Sequence, residues 1–402
     1  MKVCAVTTWP PHRDGVALYS SDLYSHLEQL VQVTILGNLP DKPDAYRPHT
    51  DEDKQVLRCW KRGSFSYPLQ IFRSAFHERP HLLHLHHGWL LYGKVIPSSL
   101  FLVSLLLFRL SRKPCVVTMH TVIKRRAQIY DNPLSNLLAR IAIIFVSRFI
   151  VKVSDRVIVH NRLMKTILQR EYALRDEGSK IVVIPHGVKK PSTQPQTHPK
   201  EKNVWILSLG FLRKSKVITH LIQAFKNLLE TAPHAKLVIV GGRHAHDNTS
   251  FTPSFKPLLT PTMRKNLFFT GFLNEQALDA LIWRSTIIVL QSTEEYFVEA
   301  SGSICRVAGY AKPIICSKVP KFQSELHDGE DCLMTTPSDL PELTQALLSL
   351  TTNPRLRTQL GNNLRTKFEN NDWATVAKRH VKLYTSLLNL KKTPDAPLRR
   401  RQ

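Results

Sequence analysis

Short apolar runs alternate with amphipathic stretches along the whole chain, which predicts parallel sheets with helices on both faces. In the first half, strands are expected at 2–7, 31–36, 82–85, 115–119, 156–159 and 181–184, and helices at 17–30, 95–108, 137–153 and 162–170. In the second half, strands are expected at 205–209, 236–240, 267–270, 286–290 and 313–317. The segment after Arg213 fixes the register best. Ser215 is placed to cap a helix whose apolar positions Ile218, Leu221, Ile222, Phe225, Leu228 and Leu229 follow the i, i+3, i+4, i+7 rule, with Pro233 beyond its end. The pattern is that of two successive doubly wound α/β units.

Composition sets the boundaries. Residues 189–203 are rich in Pro, Lys, Gln and Thr and poor in large apolar side chains, so they read as a linker between domains at 1–188 and 204–371. Residues 372–388 read as a closing helix that crosses back to the first domain, and 389–402 as a basic, disordered tail. The 402 residues carry 56 Lys and Arg against 31 Asp and Glu, a net charge of +25. That excess favours anionic partners: phosphorylated substrates, anionic lipid or nucleic acid. The chain has no zinc-finger spacing or RNP-like aromatic motif, so nucleic acid is not an expected partner.

Six cysteines without CxxC spacing, several in apolar runs, read as reduced core thiols in a cytosolic protein. The N-terminus is a strand running straight into Trp9-Pro10-Pro11, so no signal peptide is expected. The apolar stretch 95–108 is interrupted by Pro97 and three serines and is too short to span a bilayer. It reads as a helix packed over a sheet, with a helix lying in the membrane interface as the alternative; 137–153, interrupted by Arg140, Arg148 and Lys152, carries the same ambiguity.

The candidate chemistry is that of pyrophosphate binding. Gly210-Phe-Leu-Arg-Lys-Ser-Lys216 joins a strand to a helix at the carboxyl edge of a parallel sheet, where α/β proteins bind ligands. Glu299-Ala-Ser-Gly-Ser303 occupies a second such turn, and a helix starting at Ser301, Gly302 and Ser303 would offer backbone N–H groups to phosphate oxygens. Phe272 and Leu273, after Gly271, form a strand-end loop that could meet a nucleobase. His120 closes the strand at 115–119 and could hydrogen-bond a sugar hydroxyl; a structural role is the competing reading. Among His77, His81, His84, His86 and His87, the pair His84 and His86 would share a strand face. No Cys or placed carboxylate completes a ligand set, so no metal is expected.

Taken in order, these segments resemble the glycosyltransferases of family 4, retaining enzymes with two Rossmann-like domains facing each other across a cleft, the GT-B arrangement. The resemblance runs from the opening loop Thr7-Thr-Trp-Pro-Pro-His-Arg-Asp-Gly15-Val, through Val117-Thr-Met-His120-Thr, Ser154–Val159 and Lys180–Val188, to Ala311-Lys-Pro-Ile-Ile315, Glu325 and Asp328-Gly329. It implies that Arg213 and Lys216 bind the donor's diphosphate. It further implies that His120 contacts the transferred sugar, and that Gly15, Phe272, Leu273, Glu299, Ser301, Gly302 and Ser303 line the donor. No cofactor beyond the nucleotide sugar is implied.

Two departures stand out. The family's second glutamate falls on Arg306, and the arginine usual after Gly210 is Phe211. A mannosyltransferase-like branch shares the missing glutamate and the Ser-Gly helix start. The implied activity is transfer of a hexose, mannose on that branch, to a glycan or lipid-linked acceptor. It would take place in the cytoplasm or at the inner face of a membrane. A degenerate relative acting as a membrane- or glycan-binding scaffold is the alternative.

Overall fold

A computed structural model describes residues 1–40, 56–175, 177, 179–191, 203–211, 218–242, 259–294 and 296–392. The chain divides into two units, one of Met1–Gly187 together with Trp373–Gln402, the other of Val188–Asp372.

The first unit is built on seven parallel strands: β1 (Lys2–Thr7), β2 (Gln32–Asn38), β3 (Val56–Trp60), β4 (Leu82–His87), β5 (Cys115–Met119), β7 (Arg156–Val159) and β8 (Ile181–Val183). A short strand β6 (Thr121–Ile123) follows β5. The sheet order is β3-β2-β1-β4-β5-β7-β8, so the winding direction reverses between β1 and β4. All six expected strands start within one residue of prediction; β4 runs on through His86 and His87, whose polar type hid the end of a wholly buried strand.

Helices α1 (Gly15–Leu27), α2 (Tyr67–His77), α3 (Val95–Ser99), α4 (Phe101–Leu110), α5 (Pro133–Val153) and α6 (Arg162–Thr166) connect these strands. The predicted helix 95–108 is two helices, because the chain tightens to i→i+3 bonding at Leu100, whose N–H donates to Pro97 O at 3.1 Å. The predicted helix 162–170 passes after Thr166 into a π-turn, Ile167–Glu171. The C-terminal helix Trp373–Lys392 belongs to this unit and lies beside α1.

Side chains of the sheet alternate between the two layers. His84 and His86 face Tyr24 of α1, while His87 packs on Phe101 of α4 at 5.0 Å. On that second face α2 lies beside α4, and α4 beside α5.

The second unit carries six parallel strands, β9 (Trp205–Leu209), β10 (Lys236–Val240), β11 (Leu267–Gly271), β12 (Ile287–Leu290), β14 (Ile314–Ser317) and β15 (Leu333–Thr335), with β13 (Phe297–Glu299) a short strand outside this sheet. Their order, β11-β10-β9-β12-β14-β15, reverses between β9 and β12. Helix α7 (Ile218–Thr231) buries all six of its predicted apolar positions against one side of the sheet. Helices α8 (Pro261–Asn266), α9 (Glu275–Arg284), α10 (Gly302–Val307), α11 (Pro320–Gln323), α12 (Leu340–Thr352) and α13 (Pro354–Phe368) complete the unit.

Candidate active site

In the second unit the loops after β9 and β12 leave the same sheet edge side by side, because these strands are parallel neighbours in register from Ile206 and Ile287. This is the switch point of the sheet, where doubly wound folds bind ligands. Arg213 and Lys216, with the Ser215 cap, lie outside the described residues. The loop that carries them starts at Gly210, whose φ of 113° is one that glycine reaches without strain. Gly241, just after β10, approaches so closely that a Cβ there would sit 2.1 Å from Gly210 O. Phe272 covers Gly242 and meets Phe211 edge-on at 5.9 Å. The Phe272–Leu273 loop therefore gives this edge an aromatic wall, with Phe272 partly open to solvent and Leu273 turned to the core.

The loop after β12 leads into α10. Ser301 is buried and caps the helix: its Oγ accepts from Ile304 N at 3.3 Å, and its own N–H donates to Glu325 Oε2 at 3.0 Å. The Ser301 side chain is thus used within the turn. The Gly302 and Ser303 N–H groups, in the first turn, have no intrahelical acceptor and are the donors this turn can offer. With six residues, α10 adds little dipole of its own. Burial lifts the Glu325 carboxyl to about 7 against the lowering pull of Ser301 N–H and Lys321. Glu299 is ion-paired with Lys321 at 3.0 Å. At the end of β12, the buried amide nitrogen of Gln291 has no hydrogen-bond partner among the described residues.

Arg306, where the resemblance places a glutamate, turns to α9. Its guanidinium reaches Asp279 at 3.2 Å and Glu275 at 2.5 Å, and Tyr310 donates to the same Asp279 oxygen at 2.5 Å. Lys189 also pairs with Glu275.

In the first unit, Gly15 starts α1 at the carboxyl edge of β1. The space a Cβ would fill is open, and Asp14 caps the helix by accepting from Ala17 N at 2.6 Å. Burial raises the Asp14 carboxyl, but the bonds from His12, Ala17 and Thr8 outweigh it and hold the group below its usual range.

His120, half-buried, belongs to a row of strand-end histidines that sequence reasoning missed, of which His86 and His160 are buried. His86 closes on β4, His120 follows β5, His160 follows β7 and His186 follows β8. The acceptor at one end assigns the protons. His160 Nδ1 lies 3.1 Å from the Ile184 carbonyl, which can only accept, so that nitrogen carries the hydrogen and Nε2 accepts. His120 Nδ1, at 3.2 Å, must then donate, and its Nε2 accepts from His86 Nδ1 at 2.8 Å. His86 Nε2 accepts in turn from Tyr24 O–H at 2.7 Å. Because Tyr24 spends its hydrogen there, His84 Nδ1 donates toward the Tyr24 and Tyr384 oxygens at 2.8 and 2.7 Å, and its Nε2 accepts from Thr118.

All these rings are neutral. Burial pushes His84, His86 and His120 well below the ordinary histidine value and His160 down to about 3. Both His120 nitrogens are therefore engaged. A sugar hydroxyl could bond the ring only by displacing His86 or His160. The signal for this chain was the recurrence of histidine at successive strand ends. No cluster of three or more metal-ligating side chains occurs among the described residues, and the two ring nitrogens of His84 and of His86 are taken by Tyr, Thr and His partners.

Two doubly wound parallel units, each with its chain reversal marked by loops at the carboxyl edge, define a nucleotide-binding class of fold. Sequence models of known families match both halves: the Glycosyltransferase Family 4 model at residues 13–190, and that of the glycosyl transferases group 1 at 189–367. The chain belongs to glycosyltransferase family 4 and has the two Rossmann-like domains of the GT-B class.

Similar solved structures include a glycosyltransferase from Rickettsia africae, with TM-score 0.72 and 16% identity over 96% of this chain and 98% of that one. Sucrose-phosphate synthase from Thermosynechococcus elongatus gives 0.71 and 19% over 97% and 99%. HepE of Anabaena, solved with UDP-glucose, gives 0.69 and 15% over 96% and 100%. At these identities the likeness is one of fold. No curated protein matches the sequence.

Proposed function

We propose that this glycosyltransferase moves a hexose from a nucleotide diphosphate sugar to a hydroxyl of a glycan or lipid-linked acceptor in the cytoplasm, with retention at the anomeric carbon. The observation that carries the reading is the pair of loops leaving adjacent strands β9 and β12 at one edge, one opening at Gly210 and the other closing on Gly302 and Ser303. Arg213 and Lys216 would supply cations to the diphosphate and the first-turn N–H groups of α10 would supply donors. Together they would stabilise the charge that grows as the bond from the anomeric carbon to the diphosphate breaks.

The acceptor oxygen bonds to that carbon, and its proton passes to a leaving phosphate oxygen, so the scheme asks for no separate protein base and no metal. Phe272 and Leu273 would flank the base and Glu299 the ribose or sugar. Gly15 would let phosphate approach the start of α1, and His120 would meet the sugar through its backbone or ring edge. Mannose is the hexose favoured by the Ser-Gly helix start. That HepE was solved with UDP-glucose makes UDP-sugars the other donors to try.

The test is a thermal-shift and turnover screen of UDP- and GDP-sugars with the wild type and Lys216→Ala. A donor should stabilise the wild type, and the substitution should lower turnover on it by about 10²–10³-fold. An unchanged rate removes the loop from the mechanism. The scaffold alternative draws on Arg306, and no binding of any nucleotide sugar would favour it.

A further inference from the structure

Helices α2, α4 and α5 form one layer on the first sheet, and each turns apolar side chains outward. On α5, Leu134, Leu138, Ile141 and Phe145 fall within about 60° of one another at 100° per residue. Leu138, Ile141 and Phe145 are 58%, 56% and 59% exposed. On α4 the same spacing exposes Val103, Leu106 and Leu110, and on α2 Leu69 and Phe76. A soluble surface seldom gathers so many large apolar groups on neighbouring helices without a partner for them.

The charge of this layer points to the partner. Helices α2 to α5 contain no Asp or Glu, against Arg73, Arg109, Arg140, Arg148 and Lys152. Acids lie only past the helix ends: Asp155 faces Arg109 at 3.8 Å, Glu78 bonds Lys2 at 2.8 Å, and Asp131 precedes α5 at the end of the stripe away from Arg148 and Lys152. Arg148 and Lys152 continue the line of the α5 stripe, and their stems close a shallow groove floored by Phe145 and Phe149. An apolar face ending in cations fits acyl chains beneath anionic headgroups.

Helix α5 is apolar enough to cross a membrane by length and composition. Its other side is fixed to the unit, however: Ile143, Ser147, Ile150 and Val151 are buried, and Asn136 accepts from Ile129 N at 2.7 Å. It is therefore shaped to lie on a membrane.

We propose that the outer face of α2, α4 and α5 docks the first unit on an anionic lipid surface, with the α5 stripe inserted and Arg148 and Lys152 at the phosphates. The proposal would bring a lipid-linked acceptor within reach, but it rests on this face alone. Its readout is lipid binding, so it stands or falls apart from sugar transfer.

The full-length protein is sedimented with vesicles of phosphatidylcholine alone or mixed with phosphatidylglycerol, at low and high salt. The wild type should bind the mixed vesicles. Ile141→Ser with Phe145→Ser, which leaves the charge unchanged, should weaken that binding about tenfold or more at both salts. Leu106→Ser with Leu110→Ser on α4 should act in the same direction, and Arg148→Glu with Lys152→Glu should act chiefly at low salt. The proposal is overturned if the wild type ignores the mixed vesicles, or if neither apolar pair alters binding. It is equally overturned if the apolar pairs turn a dimer into a monomer in sedimentation-velocity runs while vesicle binding is absent.

Discussion

His120 donates with one ring nitrogen and accepts with the other, and its neighbours hold it in that role from both sides. Replacing His86 with Leu would leave a buried acceptor on His120 and another hydroxyl loose on Tyr24. It should cost about 1–3 kcal/mol in denaturant unfolding. Arg306 teaches a similar lesson in the second unit. Its cation answers Asp279 and Glu275, so Arg306→Glu would not restore a working family glutamate. It would crowd three carboxylates together, and calorimetry should show a loss of about 2–3 kcal/mol with no gain in turnover. Ala311 holds φ at 52°, a left-handed conformation that suits glycine, and Gly361 lets α13 press against its carbonyl. The alanine gave no hint of that backbone, because side-chain type carries little information where the chain turn is set by packing.

Elements were legible in the sequence where one physical signal acted alone. β1, β5, β7, β9 and β10 match their predicted bounds because buried parallel strands are unbroken apolar runs. β3 was missed because it is a short edge strand with Arg58 at its centre, and that side chain reaches over to Trp9 O and Asn38 O to hold the first loop. The π-turn after α6 was invisible for another reason: it is a tertiary adjustment that lets Tyr172 place its hydroxyl 2.5 Å from Ile123 O. At the site, the turn at Ser301 was readable and its wiring was not, since Glu325 comes from 24 residues further on. Ser301→Ala removes the cap of α10 while leaving the Glu325 bond to its N–H. It should lower stability by about 1 kcal/mol in thermal unfolding and raise the donor KM more than it lowers kcat.

For the molecule entire, the histidine chain sets an acid limit. His84, His86, His160 and His380 are buried and held below the ordinary value of 6.5, His160 to about 3 and His380 to about 4. An unfolded chain takes up protons at these rings as pH drops through 6.5 and the folded one does not. The rings' contribution to stability is therefore complete above that pH and is lost below it, at about 1.4 kcal/mol per pH unit for each ring, with the raised carboxyl of Glu325 offsetting one ring's share. The unfolding temperature should be flat from pH 7 to 8 and fall steeply between 6 and 4.

The Trp373–Lys392 helix has a bearing on how the protein is made. Trp373 fills the space a side chain at Gly187 would need, and Tyr384 supplies one of the two hydroxyls at His84 Nδ1. A ribosome would finish the first sheet early, yet its core would wait for a segment translated almost two hundred residues later. A nascent chain paused before Trp373 would thus leave the His84 and Gly187 side of the first sheet uncovered until the last helix arrives.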